Sequence, residues 1–205
     1  MLLYLIRHPQ PVLDQHTCYG RSDIAVAPHM LQPCLDSLLP LLPRDVPIFS
    51  SPLQRCAGLA RALATRLGQA QVVLEHDLLE MDFGHWELRR WDDIPWDEVE
   101  AWNQDLLHHA PGGGETLPAM ARRIWRALQN LRTCAAPAAI VVCHAGSIRM
   151  LHACAAWRDE QLAQLATGST PLPDARAWED IALRAMAQRR QIGFGEMLRL
   201  TLAPP

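Results

Sequence analysis

The sequence predicts an α/β fold, a three-layer α/β/α sandwich on a mostly parallel sheet. Short apolar runs of strand length alternate with amphipathic helical patterns, which is how crossover-connected parallel strands read in sequence. A length of 205 residues fits one domain. Hydrophobic residues make up 49% and charged residues 20%, enough to fill a core and too apolar for a disordered chain.

The elements follow in order. Leu2-Leu3-Tyr4-Leu5-Ile6 is a continuous apolar run and reads as a strand buried on both faces. Leu31, Leu35, Leu38, Leu39 and Leu42 keep helical spacing, with Pro33 expected in the first turn. Val46-Pro47-Ile48-Phe49 is the second strand, ending at Ser50-Ser51-Pro52. Leu53 to Leu67 is a helix whose apolar face carries Leu53, Ala57, Ala60, Leu63 and Leu67. Gln71-Val72-Val73-Leu74 is the third strand. A helix over Glu115 to Arg132 presents Met120, Ile124, Leu128 and Leu131. Ala138 to Cys143 is the fourth strand, followed directly by a helix over Ile148 to Trp157. Glu196 to Leu202 alternates apolar with polar and reads as an edge strand. Residues 1–205 therefore form one expected domain. Residues 76–114 are an insertion, holding four of the seven tryptophans and the run Gly112-Gly113-Gly114. Long excursions of this kind usually cover a site.

Composition excludes several function classes. A formal charge of −3 lacks the basic footprint of a nucleic-acid binder, so no nucleic-acid partner is expected. All nineteen cations are arginine, which removes Schiff-base, P-loop and lysine-dependent kinase chemistry. The six cysteines form no CxxC pair and no ligand spacing with histidine. His108-His109 is no metal pair, because adjacent helical residues do not share a face. Met1 to Ile6 is too short for a signal segment, and no 18-residue apolar run occurs. The expectation is a cytoplasmic protein with reduced thiols, with no membrane partner, metal or cofactor. A homodimer is the base-rate expectation for its assembly.

The chemistry collects at the C-terminal ends of the strands, where open α/β sheets bind ligands. The first strand ends in Arg7-His8. Arg55 falls on the first turn after the second strand. Leu78-Leu79-Glu80-Met81-Asp82-Phe83-Gly84 follows the third, and the fourth ends in His144-Ala145-Gly146 at a helix N-terminus. Two guanidiniums beside a helix end suit a phosphate. A neutral imidazole can attack phosphorus, and a carboxylic acid can protonate the departing alkoxide.

These residues carry a resemblance. Leu5-Ile6-Arg7-His8-Pro9-Gln10-Pro11 resembles the RHG signature of the histidine phosphatase superfamily, which has the phosphoglycerate mutase-like fold. Tyr19-Gly20-Arg21-Ser22-Asp23 looks like its GxxD segment. Ser50-Ser51-Pro52-Leu53-Gln54-Arg55-Cys56 resembles SSPLxRA, and Leu79 to Glu87 resembles LxEmdfGxWEG. Pro111-Gly112-Gly113-Gly114-Glu115 resembles PGGES, and Val142 to Arg149 resembles VxHgGxIR. All six stand in the family's order between residue 2 and about 150. The wording is closest to the α-ribazole phosphatase-like branch.

The resemblance implies that His8 becomes phosphohistidine, that Arg7, Arg55 and His144 clamp the phosphoryl oxygens, and that Glu80 donates the proton. It implies metal-independent hydrolysis of a small phosphate monoester, with α-ribazole 5′-phosphate as one candidate. Gln10, Arg21, Ser50, Trp86 and Ala145 are the expected substrate contacts, although Arg21 reads equally well as a solvated loop residue. A phosphoglycerate mutase-type phosphotransferase and a silent phospho-ligand-binding module are the alternatives. Three positions depart from the pattern. Pro9 stands for a glycine and lacks its N–H, Asp14 stands for a common asparagine, and Leu88 replaces the glycine after Trp86-Glu87.

Overall fold

A computed structural model describes residues 1–14, 16–69, 71–134, 136–164 and 172–203. Its sheet is built from β1 (Leu2–Arg7), β2 (Ile48–Ser50), β3 (Val72–Leu74), β4 (Ala138–Cys143) and β5 (Met197–Thr201). The strand order is β3-β2-β4-β1-β5. β1, β2, β3 and β4 run parallel, and β5 pairs antiparallel with β1, placing Leu5 opposite Leu198.

The pleat sends alternate residues to two different cores. Leu3 and Leu5 of β1, with Ala139, Val141 and Cys143 of β4, pack into a cluster with α4 (Leu117–Thr133), α5 (Ala145–Gln164) and α6 (Ala175–Ala187). Ile6, Ile140 and Val142 point the other way, against α1 (Pro28–Leu38) and α2 (Gln54–Leu67). Burial on both faces is what makes β1 and β4 read as unbroken apolar runs. The α/β/α layering is as the sequence predicts.

Local differences have local causes. Pro33 is not in the first turn of α1; Pro28 opens the helix and Pro33 lies inside it, on an exposed face. The amide that Pro33 lacks is lost where the facing carbonyl can meet solvent. β3 is an outer strand with Val73 and Leu74 exposed, so its apolar run does not mark a buried strand. Two helices lie beyond the predicted set. α3 (Trp96–Gln104) sits inside the insertion, where Asp97 and Glu98 occupy its first turn. α6 is capped by the Asp174 carboxylate, which accepts from the Ala177 amide at 2.8 Å. Its Ala177, Trp178, Ile181, Ala182 and Ala185 form a helical apolar stripe.

The insertion has a core of its own. Trp86, Cys18 and Ile94 are buried together, with Phe83, Val99 and Trp102 packed around them. Among the described residues, no helix is long and apolar enough to cross a membrane. The six cysteines are unpaired.

Candidate active site

Three adjacent parallel strands deliver the site. The ladder continues one residue past β1 and β2: His8 donates its amide to the Cys143 carbonyl at 3.0 Å, and Ser51 to that of Val142 at 2.9 Å. His8, Ser51 and His144 therefore stand side by side at one edge of the sheet.

The His8 ring is buried and lies 5.2 Å, centroid to centroid, from the His144 ring in an edge-on arrangement. Its Nδ1 is 2.7 Å from the Pro9 carbonyl, which can only accept, so Nδ1 carries the proton and Nε2 keeps its lone pair. Burial, with the positive charges of Arg55 and Arg7, holds the His8 imidazolium well below the usual histidine range. His8 is thus neutral at pH 7, the form a nucleophile requires. Pro9 lacks an N–H, and its carbonyl is what fixes this tautomer.

Arg55 is fully buried and already committed. Nε donates to His144 Nδ1 at 3.2 Å, Nη1 to the Ser22 carbonyl at 2.7 Å and Nη2 to the Gly20 carbonyl at 2.5 Å. Three of the five N–H bonds of a guanidinium are used, leaving one on each terminal nitrogen for a ligand. His144 is engaged at both nitrogens, because Nε2 lies 2.8 Å from Ser51 Oγ. Burial and Arg55 together push its pKa well down. In this state His144 orients Arg55 rather than presenting a spare N–H to an oxyanion. Arg7 donates to the Ile192 carbonyl at 2.5 Å, and its guanidinium lies 3.8 Å over the Phe194 ring.

Glu80 faces the same cavity, and each of its oxygens meets a backbone amide, Met81 at 3.1 Å and Gly146 at 2.9 Å. A Cβ at Gly146 would fall 2.3 Å from Glu80 Oε1 and would displace the carboxyl from this position. Arg123 fixes the segment from behind. It donates to the carbonyls of Asp77, Leu79 and Glu80 and forms a two-pronged pair with Glu115, both contacts at 2.8 Å. Ser147 Oγ adds contacts to the Leu78 and Leu79 carbonyls. The Glu80 carboxyl and its backbone are thus held by hydrogen bonds on both sides.

The other carboxylates of the segment are taken. Asp82 accepts from the Gly84 amide and pairs with Arg21. Glu87 accepts from the amides of Gly20, Arg21, Ser22 and Phe83 and from Ser22 Oγ. Burial raises the Glu87 pKa, but those hydrogen bonds outweigh it and hold the carboxyl below its ordinary range.

These groups line a cavity of about 520 Å³. Arg7, His8, Arg55, Glu80, His144 and Ala145 lie on its wall. The other four expected contacts do not. Gln10 is exposed to solvent away from it. Arg21 turns to Asp82 and Glu115. Ser50 is sealed in the sheet, with its hydroxyl on the Ser51 carbonyl. Trp86 is wholly buried, and its indole N–H donates to Glu98 at 2.6 Å. Trp91 and Trp102 take the wall position instead, with Phe83, Phe194, Met150 and Met186. The tryptophan-rich insertion signalled the first two, whereas Phe194 lies beyond every motif.

Two departures from the motifs have structural outcomes. Asp14 turns outward to Arg90, at 2.8 Å, and is not on the cavity wall. Leu88 has φ 65°, the left-handed backbone that a glycine adopts freely. A leucine there costs about 1–2 kcal/mol.

The two buried histidines of the site set an acid limit on stability. Below about pH 6.5 the unfolded chain protonates both residues while the folded protein does not, so the unfolded state binds more protons. Stability present above that pH is therefore lost as the pH falls toward the folded-state pKa values. Urea denaturation at pH 7.5, 6.5 and 5.5 should show the midpoint falling below pH 6.5. In His8→Asn the slope of stability against pH should drop by about one proton. An unchanged slope would mean that His8 is not held neutral by the fold.

A parallel-sheet edge carrying a neutral buried imidazole, guanidiniums and a carboxylate has the chemistry to receive a phosphoryl group. The chain belongs to the histidine phosphatase superfamily, matching its branch 1 over residues 3–170. It is 30% identical over 138 residues to the adenosylcobalamin/α-ribazole phosphatase of Escherichia coli K12, an alignment covering 64% of this chain and 66% of that relative, just under two thirds of its length. The crystal structure of the α-ribazole phosphatase from Shigella flexneri matches 99% of this chain and 91% of its own at a TM-score of 0.74 and 22% identity. A mycobacterial glucosyl-3-phosphoglycerate phosphatase matches 98% of this chain and 89% of its own at a TM-score of 0.71 and 22% identity. At these identities the two structures speak for the fold alone.

Proposed function

We propose that this protein is a metal-independent phosphomonoesterase that works through a phosphohistidine. The observation that carries the reading is the neutral, tautomer-fixed His8 ring beside Arg7 and Arg55, with Glu80 on the wall of the same cavity. His8 Nε2 attacks phosphorus in line, and the ester oxygen leaves with a proton from Glu80. The remaining N–H bonds of Arg55, with Arg7, take up charge on the equatorial oxygens, where most of the rate enhancement in phosphoryl transfer arises. Glu80, now a carboxylate, takes a proton from water as it attacks the phosphohistidine, releasing phosphate and restoring both groups.

The wall beyond the cradle favours a large, flat, weakly polar alcohol half. Phe83, Trp91, Trp102, Met150 and Met186 offer apolar and aromatic surface. α-Ribazole 5′-phosphate, a ribose ester with an aromatic base, is a candidate of that shape. A small, doubly charged acid such as phosphoglycerate would leave that surface unused, which weighs against a mutase.

Among the described residues, no three His, Cys, Asp or Glu side chains group so as to hold a metal ion. Phosphatase activity should therefore survive EDTA and be blocked by vanadate, which adopts the five-coordinate geometry of the transferring group. Activity lost in EDTA and restored by Mg²⁺ or Zn²⁺ would overturn the mechanism.

A further inference from the structure

Arg55 can serve the phosphoryl group only if its partners stay in place, and two of its three anchors are the carbonyls of Gly20 and Ser22. That segment is not held by regular secondary structure. Gly20 passes so close to the insertion that a Cβ would lie 1.8 Å from the Met81 carbonyl. What gathers it is one side chain. Glu87 Oε2 accepts from the amides of Gly20 and Ser22, both at 3.0 Å, and from Ser22 Oγ at 2.5 Å; Oε1 accepts from Arg21 at 2.9 Å and Phe83 at 3.1 Å. The amides of three successive residues thus converge on one carboxylate, while two of the same residues turn their carbonyls to Arg55. On the insertion side, Cys18 and Leu88 add backbone bonds of 2.8 Å that clamp the two segments together.

We propose that Glu87 is a positioning residue for catalysis: by gathering the amides of residues 20–22 it aims their carbonyls at Arg55 and so presents the guanidinium to the phosphoryl group. The relay runs from Glu87 through Gly20 and Ser22 to Arg55 and then to His144. It joins the insertion, which supplies the aromatic wall, to the cradle, which binds phosphate. Neither oxygen of Glu87 is free for substrate, so its effect on turnover passes through Arg55. This inference rests on the phosphatase reading of the site.

A double-mutant cycle separates that role from a merely structural one. Glu87→Gln keeps the shape but turns an N–H₂ group toward N–H donors. With p-nitrophenyl phosphate it should lower kcat/KM by on the order of 10–10²-fold, the scale of a misplaced catalytic group, mainly through kcat. Vanadate affinity should fall in parallel. In an Arg55→Ala background the same change should cost less than about 3-fold, because the group it positions is gone. Equal losses in both backgrounds would overturn the proposal. Should Glu87→Gln fail to fold, Ser22→Ala removes only the hydroxyl contact, and a smaller loss of about 3–10-fold should be absorbed by Arg55→Ala in the same way. Additivity there would overturn it equally. A wild-type protein that neither hydrolyses p-nitrophenyl phosphate nor binds vanadate would instead remove the phosphatase reading itself, and this inference with it.

Discussion

His8→Ala should abolish turnover and covalent labelling while the protein stays folded. Removing a nucleophile closes the two-step route, and losses on the order of 10⁴–10⁶-fold accompany such changes in other covalent enzymes. The environment adds a reason. His8 sits where burial and two arginines oppose a positive charge, so a water in its place would have no comparable base. Its side chain makes one internal hydrogen bond, to Pro9, and truncation disturbs little else. Circular dichroism should therefore match wild type. A denaturing quench at alkaline pH with a ³²P-labelled monoester should trap label in wild type that is labile in acid and stable in alkali, and none in His8→Ala. Label that persists in His8→Ala but vanishes in a serine or cysteine variant would show that the nucleophile lies elsewhere. Cys143 is a poor contender, since burial raises its thiol pKa far above the usual range.

Glu80→Gln should give a loss that depends on the leaving group. A general acid matters when the departing oxygen is too basic to leave unaided. With an alkyl or sugar phosphate the loss should approach ~10²–10⁴-fold. With p-nitrophenyl phosphate, phosphorylation of His8 should suffer far less. Water attack on phosphohistidine then becomes slow, and stopped-flow traces should show a burst of nitrophenol before a low steady rate. The glutamine keeps one amide contact, to Gly146 or Met81, so the segment tied down by Arg123 should stay in place. Equal losses on both substrates without a burst would remove Glu80 as the acid. Asp82 and Glu87 are unsuited to replace it, because Arg21 and a set of backbone amides already hold them.

The convergence of Arg7, His8, Arg55, Glu80 and His144 was more legible in the sequence than the pocket that surrounds them. β1 and β4 read correctly because both faces are buried, and the ends of those strands carry His8 and His144. β3 reads just as apolar, yet it sits at the edge of the sheet with two side chains exposed. Period alone does not distinguish an inner from an outer strand. Trp86 and Trp102 differ only in how the insertion folds around them. One is sealed in a small core on Glu98 and the other reaches the cavity, a choice made by packing within the insertion and not by any strand pattern. Phe194 reaches the site because β5 returns beside β1 and carries the preceding loop over Arg7. That is a property of topology, which local pattern does not encode. α6, by contrast, has a clear apolar stripe and a capping aspartate, and its signal was there to be read.

The way Arg55 is held also bears on how the protein folds. Its partners lie 33, 35 and 89 residues away in sequence, at Ser22, Gly20 and His144. Contacts of such span require large loops to close, and they reward the chain only once the surrounding sheet is in place. A guanidinium enclosed on these three partners should therefore be completed late, once β1, β2 and β4 have found their register. A compact intermediate could keep α2 and α5 intact and still have no phosphate cradle. Recovery of vanadate binding during refolding should therefore lag behind the return of helical signal.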